Sequence, residues 1–178
     1  MTSDTAGEAT AEAFGTALVA ESKRRMLDES LPRIKKCLDL LTDEEIWRQP
    51  NDQTVSIGNL VLHLCGNVRQ WIVSGLGGAG DDRERDAEFA ERGTIPKADL
   101  TARLENTLRE AAEAMDGADP ALLLETRRVQ GQTETGLSIL VHVVEHFSYH
   151  TGQISLAVKL LKNLDLGYYA GQDLNAKN

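Results

Sequence analysis

Four histidines occur in the chain, His63, His142, His146 and His150, and each sits in a strongly apolar stretch. An imidazole in an apolar setting needs a partner for both ring nitrogens, because an unsatisfied buried polar group costs about 1–3 kcal/mol. Amide-satisfied core histidines are the ordinary solution for one ring. For several rings together, one metal ion is the more economical organiser.

Successive helical residues turn by about 100°, so His146 and His150 project from one face about 6 Å apart along the axis. Two such rings can share a cation. His142 continues the column but lies about 12 Å from His150, too far for both to ligate one ion. His63, flanked by Leu60, Leu62 and Leu64, is the remaining histidine and the expected third ligand. His142 is read as lining the pocket. Neutral imidazole suits Zn2+, Ni2+, Fe2+ or Cu2+, and three protein ligands leave a coordination position for water or substrate. The expected cofactor is a divalent transition metal, Zn or Ni first, with Fe or Mn as alternatives.

Ligating histidines donate their second N–H to an amide or carboxylate. Asn59 and Asn67 stand four residues either side of His63, Gln153 stands three beyond His150, and Glu145 is beside His146. These four are the candidates for orienting the rings. No catalytic residue is assigned. Cys65 points about 200° away from His63 and is read as core. Trp47, Trp71, Phe147, Tyr149, Tyr168 and Tyr169 are read as packing anchors, and Arg69 and Arg128 as solvated surface.

Helices must carry these residues. Helix 1 is expected from Glu12 to Leu41, interrupted by Pro32, and preceded by a tail over 1–11 that lacks apolar periodicity. Thr42 and Glu45 form a capping pair for a short turn through Trp47. Helix 2 begins near Val55, with Ser56 as a candidate cap, and ends near Gly75; helix 3 follows Pro96 and stops around Gly117; helix 4 runs from near Gly136 and Leu137 to about Lys162. The charged run DDRERDAEFAERG is read as a solvated crossover, and Glu125 to Thr135 as a small hairpin around Gly131. A single all-α domain over 12–166, a four-helix bundle with long crossover connections, accounts for these elements, with a tail over 167–178.

Composition sets the outer limits. The 178 residues are 41% hydrophobic and 26% charged, the balance of one ordinary globular domain. The net charge of −9 repels phosphate backbones and anionic lipid, so neither nucleic acid nor membrane is an expected partner. No signal segment or membrane-spanning run is visible, and Cys37 and Cys65 read as reduced thiols, which points to the cytoplasm.

Through IGNLVLHLCGNVRQWI, containing His63, and HVVEHFSYHTGQI, containing His146 and His150, the chain resembles the DinB-like superfamily of bacterial four-helix metalloproteins. The second segment matches the family's H-x-x-x-H pattern followed by Gly-Gln. The likeness spans roughly Leu31 to Lys162 in element order, and departs from it at Thr151, where the family often has Arg. The resemblance implies a divalent metal on the three matching histidines, a pocket at one end of the bundle and frequent homodimers. Some members are thiol transferases using bacillithiol, mycothiol or glutathione, and others are thiol-dependent isomerases. The wording here resembles a branch without an assigned activity.

The leading expectation is an enzyme whose metal activates a low-molecular-weight thiol for transfer to a small electrophile. His142 or Glu145 is the candidate acceptor of the released proton. Metal-assisted hydrolysis and a non-catalytic metal- or ligand-binding module are the alternatives.

Overall fold

The structure is a computed structural model that describes residues 2–177. The first rod comprises α1 (Thr2–Lys23), a π-helical stretch over Arg24–Ser30 and α2 (Leu31–Asp39). Pro32, in the first turn of α2, has no N–H to donate to the preceding turn, and the wider π turns just before it absorb that loss. Leu31 N–H bonds Met26 O, five residues back, as this wider winding requires. Helix begins at Thr2 rather than near Glu12. The expectation of an unstructured start rested on the missing apolar stripe, but these turns extend a helix already anchored further on at Gly15, Val19 and Ser22, and adding turns to an existing helix needs no new nucleus.

The short α3 (Asp43–Trp47) is closed by the Thr42–Glu45 capping box. After a loop, α4 (Ile57–Val68) continues into a second π-helical stretch, Arg69–Leu76. Every residue of α4 except Gly66 is buried, so this is the central rod of the molecule. The crossover over 77–96 contains α5 (Arg85–Ala90) and leads to α6 (Lys97–Gly117), which buries one stripe, Leu100, Leu104, Leu108, Ala111 and Met115. A 3-10 turn (Pro120–Leu122) and a two-stranded hairpin, β1 (Thr126–Val129) with β2 (Gln132–Thr135), then lead to α7 (Gly136–Lys162). The two-residue turn of the hairpin has positive φ at both Gln130 and Gly131, as a tight antiparallel connection requires.

The fold is thus mostly helical, with one small sheet among the described residues. One core gathers Met26, Ile34 and Leu38 from the first rod, Leu64 and Ile72 from the second, Leu104 and Leu108 from α6, and Ile139, Phe147 and Ile154 from α7. α4 packs on α6, α7 and α5, which sets the two histidine-bearing helices side by side. Beyond α7, Tyr168 ties the chain back to the core: its hydroxyl lies 3.2 Å from Cys37 Sγ and 2.8 Å from Ser155 Oγ. Both cysteines are buried and unpaired.

Ser56 fixes the start of the central rod. Its hydroxyl accepts from Asn59 N–H at 3.1 Å and donates to Asn59 Oδ1 at 2.6 Å. Ser56→Ala removes the cap and the shorter of two bonds to the buried Asn59 Oδ1, leaving only that from the residue 56 N–H at 3.2 Å. It should cost about 1–2 kcal/mol of folding free energy, read as a lower urea midpoint at unchanged slope.

Candidate metal centre

His63 on α4 meets His146 and His150 on α7. The Nε2 atoms of His63 and His146 are 3.0 Å apart, and one donor atom from each of the three rings lies within 4.8 Å of the others. Donors on a tetrahedral ion with bonds of 2.0–2.1 Å stand roughly 3.3 Å apart, so modest side-chain rotation brings all three into range. The rings meet edge to face, with His63 and His150 at an interplanar angle of 89° and His146 and His150 at 81°. In this arrangement ring edges, which carry the nitrogens, can converge.

The remaining nitrogens fix the tautomers. His63 Nδ1 lies 2.9 Å from Glu88 Oε2 and 3.1 Å from Arg83 Nη2; with the nearer carboxylate, which can only accept, as its hydrogen-bond partner, Nδ1 carries the proton and Nε2 a lone pair. His150 Nδ1 lies 2.6 Å from Gln153 Oε1; with the amide in this orientation its oxygen accepts from Nδ1–H, which leaves Nε2 as the ring's metal-donor atom. Burial, reinforced by the neighbouring rings His150, His63 and His142, pushes His146 down to about 3, and burial also lowers His150. Neutral rings with inward lone pairs are the form a cation needs. The donor set therefore fits a divalent transition metal.

Glu88 was not among the residues expected at the site. Its run of sequence reads as solvated charge, yet the structure buries it together with Arg83, whose side chain is 4% exposed. Arg83 Nε donates to Glu88 Oε1 at 2.7 Å and Nη2 to Oε2 at 2.9 Å, while Nη1 donates to Gln70 Oε1 at 2.9 Å. Burial opposes ionisation of Glu88, but the bonds from Arg83 and His63 prevail and hold its carboxyl below the ordinary range. Gly66 makes this contact sterically possible: a methyl group there would overlap Glu88 Oε1. A glycine inside an otherwise apolar helix is the one sequence signal that something approaches closely at that turn.

The other expected companions divide. Gln153 does orient an imidazole. Asn59 touches none: its Nδ2 donates to the carbonyls of Glu88 at 2.9 Å and Glu91 at 3.1 Å, pinning the crossover that carries Glu88. Asn67 Nδ2 lies 3.3 Å from His142 Nε2, and its Oδ1 is buried without a partner. Turning the amide over exchanges the two atoms, so either orientation leaves one of them unbonded. His142 stacks on Trp71 at 3.8 Å and lies parallel to His146 at 5.5 Å, beside the group rather than in it. Glu145 is a correction. It is exposed and lines a surface groove with Arg25, Ser30 and Tyr169, because one residue before His146 means about 100° around the helix. No imidazole hydrogen-bonds to it among the described residues. Cys65 lies in the core, where burial pushes its thiol up to about 11, and Arg69 pairs with Glu110 at the surface.

The histidines make the metal-free protein acid-sensitive. Below the ordinary imidazole value of 6.5 the unfolded chain binds protons that His146 in the folded chain refuses until about 3, so stability falls as pH drops through this interval. Glu88 adds a further loss only below its ordinary 4.5. Urea midpoints of chelator-treated protein should therefore decline from pH 7 to 5, and His146→Gln should flatten that decline.

The site also has a family context. A family model described as "Protein of unknown function (DUF1572)" matches residues 14–169. No curated protein matches the chain.

Proposed function

The chain belongs to the DUF1572 family, and from its own residues we propose that it is a DinB-like four-helix metalloprotein that activates a low-molecular-weight thiol for transfer to a small electrophile. The observation that carries this reading is the convergence of His63, His146 and His150, with two of the three rings turned by Glu88 and Gln153 to face inward. A divalent zinc- or nickel-type ion held there supplies Lewis acidity that lowers the pKa of a thiol or water.

The protein's own groups do the rest. Glu88 and Gln153 hold the His63 and His150 tautomers, and Phe89 covers one face of the His63 ring at 4.9 Å. His142 is the remaining imidazole beside the group, its pKa lowered by burial, and in this reading it takes up the released proton at Nε2. Asn67, turned to offer Oδ1, would then accept a hydrogen bond from the protonated ring.

Elemental analysis of untagged protein should find close to one transition metal per chain, lost in a His63→Ala, His146→Ala double variant. Metal-loaded protein screened against several thiols with a generic electrophile should then show thiol-dependent turnover that His146→Ala reduces to background. Equal rates would reject the transferase reading. Thiol-independent ester or amide turnover would make the protein a hydrolase, and metal binding without turnover a binding module.

A homodimer is part of the proposal. The outer face of α7 exposes Tyr149 (62%), Leu156 (58%) and Leu160 (76%), and Glu145 and Lys159 stand seven residues either side of Gly152. An antiparallel second copy centred there would set Tyr149 against the partner's Leu156 and Glu145 against the partner's Lys159. Light scattering should give twice the chain mass, and Leu156→Glu the chain mass alone. The buried thiols support a reducing, cytoplasmic setting, and among the described residues no helix is long and apolar enough to cross a membrane.

A further inference from the structure

Resting on the metal reading above, we propose that a cation at the three imidazoles and docking of the crossover on α4 favour one another, making the segment 81–91 a metal-linked latch. The crossover has little apolar surface with which to hold itself down. Among 81–91 Glu88 and the side chain of Arg83 are buried, both of them charged, and Phe89 is half-buried against the His63 ring. Its attachment is polar: Asn59 grips the carbonyls of Glu88 and Glu91, His63 donates to Glu88, and Arg83 reaches Glu88 and Gln70. Beside it lies a cavity of about 400 Å³ bounded by Leu62 and Gly66 of α4 and by Val73 of the π-helical stretch that follows, so part of the segment borders open space rather than packed side chains.

His63 joins the two events because its two nitrogens face opposite clients. A cation at Nε2 withdraws electron density from the ring and makes Nδ1–H a stronger donor to Glu88. Conversely, Glu88 held at Nδ1 makes Nε2 a better ligand in a fixed orientation. Linkage requires the two effects to be equal in free energy. Glu88 and Arg83 are thus positioning residues, acting on the metal through His63, and the exposed crossover is the element that responds.

Hydrogen exchange of the full chain with and without Zn2+, combined with Zn2+ affinity by chelator competition, tests the latch. Zn2+ should slow amide exchange over 83–91 by about 5- to 100-fold and leave α6 unchanged. Arg83→Gln, in the crossover, and Gly66→Ala, which keeps every polar group and displaces Glu88 with the Arg83 guanidinium bound to it, should each weaken Zn2+ binding by about 10- to 100-fold and abolish that protection. Because the variants lie on opposite sides of the contact, misfolding of one, seen by circular dichroism, leaves the other as the test. Wild-type protein that binds Zn2+ with no change in crossover exchange, or a folded variant with wild-type affinity, overturns the latch while leaving the metal reading standing. Wild-type protein that binds no metal overturns both.

Discussion

Three imidazoles with one nitrogen each inside 4.8 Å can hold a cation only while those nitrogens carry lone pairs that point inward. Much of the molecule's polar interior serves that constraint. Rings carrying protons on the inward nitrogens would repel, and rings free to rotate would satisfy themselves at random. Glu88 and Gln153 remove that freedom for two of the rings by accepting from the outward nitrogens. The third, His146, sits between them and is kept neutral by burial and by its neighbours.

Meeting this constraint required an ionised carboxylate in the interior, which is expensive unless its charge is balanced and all its oxygens are bonded. Arg83 supplies the balance with two bonds to Glu88, and its remaining reach goes to Gln70. The pair is brought in by a segment that is otherwise exposed, and the space it needs exists because residue 66 has no side chain. Centre, carboxylate, cation and glycine thus form one arrangement drawn from α4, α7 and the crossover.

Much of the fold was legible because long helices announce themselves by spacing and caps. Helix 3 and helix 4 have the expected ends, the hairpin turns at Gly131, and the Thr42 and Ser56 caps are formed. The two π-helical stretches were not legible, since widening a turn leaves the residue pattern almost unchanged. At the centre, the spacing of His146 and His150 survives in the structure, and His63 meets them. Glu88 and Arg83 were hidden because charge density reads as solvation, and pairing that permits burial arises only from tertiary contact. Glu145 failed for the opposite reason: nearness in sequence to a histidine is not nearness around the helix.

Trp71 is 4% exposed and stacks on His142, whose ring in turn runs parallel to His146. The chain has two tryptophans, and the indole of the other, Trp47, donates instead to Ile95 O beside the crossover. Nature has therefore installed two fluorophores at separate corners of the same region, one leaning on the histidine column and one on the chain that closes over it. Events at the centre and at its cover can be followed optically in the native polypeptide, without a dye or an engineered label.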